Sequence, residues 1–163
     1  MKKEKDIDHS VKQYANYFQK EEPDSFFPEP PLTYNNFFSN KLFLVQSIRN
    51  GIPFFLFSAI RLKTPFSDID WARFLNISIK SLQRYKMEKD FVFKPIHSEK
   101  IIELAEVTQL GETIFTTQEK FYKWLNQSSV AFGNMKPLDL LNDSYGKELV
   151  VNELHRIDHG IFA

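Results

Sequence analysis

The sequence predicts an all-α fold, on three observations. Apolar residues recur at helical spacing through nearly every segment free of proline, with Ile7, Val11, Tyr14 and Phe18 at i, i+4, i+7 and i+11 as the plainest case. Helix stops follow those segments, at Asn50-Gly51, Gly111 and Gly160. Strand-like sequence is nearly lacking, the one candidate being Phe91-Val92-Phe93.

With 163 residues, 42% hydrophobic and 15% aromatic, the chain is globular and long enough for one good core or two small lobes with a tail. The lack of cysteine excludes a disulfide framework and a thiolate nucleophile, and suits a reducing cytoplasm. Met1 is followed by KKEKDIDH rather than the apolar run of a signal peptide, so a cytoplasmic location is expected. The greasiest segment, Ile52 to Ile60, is nine residues, about half of the ~20 a membrane span requires. It reads as a buried helix, with no membrane partner.

Taken in order, Asp6 to Glu22 begins at a capping candidate and forms a modest helix. Glu21 to Pro31 carries four prolines and no periodicity, which makes it an extended linker. Residues 1–36 are then an arm, with its own body and a second copy as equal candidates for the surface it lies on. The body, 37–113, opens with a helix over Phe37 to Arg49 whose core is Phe38, Leu42, Val45 and Ile48. Pro53 starts the next helix, to about Lys63, with Phe54, Phe55, Phe57 and Ile60 packed as ordinary core.

Asp68 to Met87, DIDWARFLNISIKSLQRYKM, has the spacing of a helix-turn-helix. Trp71, Leu75, Ile77, Leu82 and Tyr85 are the apolar contacts of the two helices, and Ala72 is small where they approach. Asn76 tolerates the left-handed turn, and Ser78 caps the second helix. Ser78, Lys80, Ser81, Gln83, Arg84 and Lys86 then face outward, polar or basic, and suit DNA. Between Arg61 and Lys100 nine Lys/Arg meet five Asp/Glu, a local excess of the kind phosphate contact needs. The bland alternative is an αα-hairpin with a solvated face.

Pro65 breaks the chain before this motif, and Phe91 to Pro95 breaks it after, as a short strand or as a loop that pins the second helix. Ile96 to Glu112 is a longer helix that buries Ile101, Ile102, Leu104, Ala105 and Leu110, with Gly111 near its end. Thr116-Thr117-Gln118-Glu119 has the form of a capping box for a short helix carrying Phe121, Trp124 and Leu125. Pro137 is the first helical residue of a segment ending at Leu141, and Asn142-Asp143 makes a tight turn. The last helix, Ser144 to His159, buries Leu149, Val150, Leu154 and Ile157.

In this second half, Trp124-Leu125-Asn126, the turn Phe132-Gly133-Asn134, Lys136-Pro137-Leu138-Asp139-Leu140-Leu141, Gly146 and Arg156-Ile157-Asp158-His159-Gly160-Ile161-Phe162-Ala163 resemble the C-terminal domain of the MbcA/ParS/Xre antitoxins. Upstream, Asn50-Gly51-Ile52-Pro53 and the helix-turn-helix at 68–87 sit where that family has its Xre-like DNA-binding domain. The resemblance covers 37 to 163, leaves 1 to 36 unmatched, and departs at Asn76, where Gly is frequent. It implies an Xre-like helix-turn-helix domain (37–113) followed by a small helical toxin-binding domain (114–163). By the same resemblance the chain is a type II antitoxin, itself no enzyme and without cofactor. It binds a RES-type or related ADP-ribosyltransferase-like toxin that consumes NAD or modifies a target with it. It also represses its own operon at operator DNA, as a homodimer within a toxin–antitoxin hetero-oligomer. The resemblance puts the toxin against the tail: Arg156, His159, Gly160, Ile161, Phe162 and Ala163.

Other chemistry is weaker. His155 and His159 share a helix face, and H-x-x-D-H is close to a zinc pattern, but Asp replaces the usual Glu and no third ligand is evident, so no metal is expected. No nucleophile elbow or Gly-rich phosphate loop is present, which leaves a small helical enzyme as a remote reading. Residues 101 to 163 hold five Lys/Arg and nine Asp/Glu, opposite in sign to the DNA half, which suits a protein partner. Apart from the antitoxin, the chief alternative is a stand-alone transcriptional regulator whose C-terminal lobe only dimerises.

Overall fold

The computed structural model describes the backbone of residues 2–21 and 32–160, and the side chains of 7–20 and 32–160. Its described residues form ten α-helices, one 3-10 turn and no strand, the all-α fold the sequence predicts. They divide into two compact units. The first draws on Met1–Lys63 and Lys80–Glu103, the second on Thr64–Ile79 and Leu104–Ala163.

In the first unit, α1 (Lys2–Glu21) packs on its own body, against α4 (Phe54–Lys63) and α2 (Tyr34–Phe37). Its stripe Ile7, Val11, Tyr14 and Phe18 is buried throughout. Tyr14, Phe18 and Phe37 gather round Phe43; Phe18 and Phe37 meet its ring edge-on with centroids 5.3 and 5.5 Å apart. Asp8 Oδ1 accepts the Tyr34 N–H at 2.7 Å, tying α1 to the start of α2. Burial pushes the Tyr14 phenol up to about 12. The linker reading of 21–31 falls almost wholly on residues outside those described.

The single helix expected over Phe37 to Arg49 is instead two, α2 and α3 (Lys41–Asn50). Asn40 makes the break: its side chain accepts the Phe43 N–H at 3.0 Å and caps α3. The buried face of α3 is Phe43, Leu44 and Ser47, so Leu42 and Val45, expected in the core, are exposed. The aromatic cluster around Phe43 chooses the face; periodicity alone fits either. Gly51 holds φ +89°, and a Cβ there would meet the Phe93 carbonyl and the Val92 side chain. That close approach lets Phe91-Val92-Phe93 pair beside α4, through one bridge between Pro53 and Val92 and the bonds Phe54 N–H to Phe91 O and Phe93 N–H to Ile52 O. Tyr85 of α6 (Ile79–Met87) stacks on Phe91 at 3.9 Å, so this segment is the loop that pins that helix.

The second unit holds α5 (Asp68–Phe74), α8 (Gln118–Leu125), α9 (Pro137–Leu140), α10 (Ser144–Asp158) and the Leu104–Phe115 part of α7 (Pro95–Phe115). Ser67 caps α5 and Asp70 reciprocates, while Phe66, Trp71 and Phe74 meet edge-on. Asn76 has φ +51°, the left-handed turn expected of it, and Ile77 N–H returns to Ala72 O. Gly111 does not end its helix. It lies inside α7, where a Cβ would strike the Phe121 ring. The cap of α8 is Thr117, which accepts the Lys120 N–H; Thr116, the expected cap, takes φ +69° one residue earlier. On α10 the buried residues are Gly146, Val150 and Leu154, four apart, which leaves Leu149 52% exposed rather than in the core. Gly146 is the closest packing point, since a Cβ would meet the Leu140 backbone.

Candidate functional site

Two regions carry the residues singled out from the sequence. In the first unit, α6 begins at Ile79, directly after Ser78. Lys80, Gln83, Arg84 and Lys86 are exposed, as is Ser78, while Ser81 is half-buried. Leu82 alone of the helix is buried, so the polar residues are turned out by the same amphipathic pattern that buries it. The Arg84 guanidinium lies 5.3 Å from the centroid of the Tyr85 ring, whose other contacts are Phe91 and Phe93. Lys86 stands at the rim of a groove of about 620 Å³ with Tyr17, Phe54, Phe55 and Phe91. Lys89 and Lys94 add exposed cations, and Glu88 and Asp90 exposed acids. Burial, helped by the Lys94 charge, lowers the His97 pKa, so this imidazole favours its neutral form. Such a face carries hydrogen-bond donors of the kind that phosphates and base edges accept.

In the second unit, α9 begins at Pro137 with no side-chain cap, and Pro137, Leu138 and Leu140 are buried, as is Leu141 just after it. The same unit holds a cleft of about 760 Å³, lined by Phe115, Trp124, Val130, Glu153, Arg156 and Ile157 among others. Trp124 is half-buried against Phe115 and Phe121, and Val130, on the 3-10 turn Val130–Phe132, is 86% exposed. Arg156 Nη1 donates to Glu153 Oε2 at 3.1 Å, which of its possible acidic partners is the one it takes. Gly160 has φ +70° and its N–H bonds Ile157 O, ending α10 as expected. His159 and Gly160 are exposed, while Ile161, Phe162 and Ala163 lie outside the described residues.

The sequence reading missed Phe115, Val130 and Glu153 as parts of one cleft. Its available signal was Ser129, which caps the 3-10 turn through the Ala131 N–H and so presents Val130 to solvent. Among the described residues no group of three metal-binding side chains converges, and no helix is long and apolar enough to cross a membrane.

No curated protein matches the chain. A family does: residues 110–160 match the antitoxin Xre/MbcA/ParS C-terminal toxin-binding domain. That interval lies wholly inside the second unit and contains α8, α9, α10 and every residue that lines the cleft. Residues 110–160 are thus identified as an antitoxin Xre/MbcA/ParS C-terminal toxin-binding domain, about a third of the chain.

Proposed function

We propose that the chain is an antitoxin that neutralises a RES-type toxin, or a related ADP-ribosyltransferase-like one, that consumes NAD, and that it represses its own operon by binding operator DNA. The observation that carries the reading is the toxin-binding domain at 110–160, with an apolar cleft whose rim residue Val130 is exposed. An exposed apolar rim is a surface suited to a protein partner. Arg156, His159, Gly160, Ile161, Phe162 and Ala163 are the proposed toxin contacts, close in sequence to the cleft residue Ile157. Autorepression is supported by the outward Lys80, Gln83, Arg84 and Lys86 of α6, with Ser78 and Ser81 beside them. The protein needs no catalytic group of its own for either role.

Co-expression tests this. The neighbouring reading frame alone should arrest growth and deplete NAD, and this chain should restore both. Deletion of 161–163 should keep the fold and sharply reduce rescue. Arrest that the full chain leaves untouched contradicts the proposal.

A further inference from the structure

The toxin-binding unit is larger than the interval that matches the family. Residues 64–79 belong to the same compact unit as 104–163, yet lie outside 110–160. What α5 contributes is a chain of polar contacts. Asp70 is buried, and its Oδ2 accepts the Ser67 N–H at 2.9 Å and the Ser67 hydroxyl at 2.7 Å. The Tyr122 hydroxyl of α8 approaches the same oxygen at 3.4 Å. Asp70 Oδ1 stands 3.6 Å from Arg73 Nη2, and Arg73 Nη1 donates to Asp139 Oδ1 at 2.8 Å. One guanidinium therefore spans two carboxylates, one fixed in α5 and the other on α9.

α9 has need of such a hold. It is four residues long, too short to persist alone, and Lys136 before it supplies no side-chain cap. Its leucines fix its depth by burial, but apolar contact is non-directional. A charged hydrogen bond with a planar donor sets rotation about the helix as well.

We propose that Arg73, oriented by Asp70, is a positioning residue of the toxin-binding domain: it holds α9 through Asp139, so that α5 completes the domain. This rests on the toxin-binding reading of 110–160 and extends it to a residue outside that interval. The first helix of the helix-turn-helix segment is on this account a structural part of the toxin-binding unit.

The test uses the full chain and the variants Arg73→Ala, Arg73→Lys, Asp139→Asn and the double variant Arg73→Ala/Asp139→Asn. Hydrogen exchange at amides 138–143 should quicken about two- to fivefold in Arg73→Ala, the scale of a half-exposed ion pair. Amides of α1 to α4 should not change. Asp139→Asn should match it, the double variant should be no worse than either single one, and Arg73→Lys should recover part of the loss. Affinity for the purified product of the neighbouring reading frame, measured well below the melting temperature, should fall in the same order. Unchanged exchange at 138–143 in Arg73→Ala overturns the clamp, as does additivity in the double variant. Faster exchange with unchanged affinity overturns the positioning role and leaves toxin binding intact. Failure of the wild-type chain to bind the toxin defeats the underlying reading instead, while exchange alone still decides whether Arg73 holds α9.

Discussion

Tyr14 stands at the centre of the first unit, fully buried among Phe18, Phe37 and Phe43, and its ionisation reports on whether α1 is packed. Burial holds its phenol protonated up to about pH 12, whereas an exposed tyrosine ionises near its ordinary value of 10. A folded-state pKa raised above the unfolded one gives stability that is complete below the unfolded value and is lost as pH rises through the folded one. The window is therefore about pH 10 to 12. Tyr14→Phe, having no phenol to ionise, should lose less stability across that window than the wild type, as read by urea unfolding at pH 8 and pH 11. Parallel losses in the two proteins would mean that Tyr14 ionises as freely in the folded chain as in the unfolded one. At the same scale, Asn76 shows what one residue discloses from sequence. A left-handed turn after a short helix admits few side chains, and Asn is one of them. Gly111 shows the opposite. A glycine is consistent with a stop or with a close approach, and only the Phe121 ring against it decides for the second.

At the scale of elements, α9 depends on its neighbours. Leu141 is fully buried just beyond its last turn, so Leu141→Ala should lower unfolding stability by ~2–5 kcal/mol, through lost burial and the cavity left behind. An unchanged melting temperature would show that the side chain is not buried as described. α6 is the element that carries the proposed DNA contacts, and its two cations should behave differently. Arg84→Ala should cost ~1–3 kcal/mol and relax base preference, while Lys86→Ala should weaken all sequences alike and flatten the salt dependence. Titration of operator and random duplexes at several salt concentrations separates the two. If the wild-type chain binds both duplexes equally at physiological salt, α6 reads no sequence.

Elements were legible where capping and apolar spacing agreed, as in α1, α4 and α10. They were less so where the two competed. Asn40 divides an apolar run that spacing alone carries from Phe37 to Arg49, because a side-chain cap outweighs continuation. Leu42, Val45 and Leu149 were placed in the core by period, yet a helix with apolar residues on two sides leaves the choice to its tertiary partners. The cleft was the least legible feature, since its lining comes from α7, α8, the 3-10 turn and α10, far apart in the chain. The family's own residues, by contrast, were readable as a linear motif, because the Pro137 start and the leucines that follow it must be neighbours in sequence to form so short a helix.

Across the whole molecule, charge is divided though its sum is zero. Residues 61–100 carry four more cations than anions, and 101–163 four more anions than cations. A basic stretch around α6 and an acidic toxin-binding half suit two partners of different chemistry, and the opposite signs keep each from attracting the other's ligand. One recognition helix reads too few bases to be selective, so operator binding by a dimer to half-sites roughly 34 Å apart, or a multiple of that, belongs to the same proposal. The most direct measurement follows NAD with time in a mixture of the purified toxin, NAD and increasing amounts of this chain. NAD should fall with toxin alone and be preserved once the chain saturates it; undiminished loss of NAD at saturating chain would rule out neutralisation of an NAD-consuming toxin.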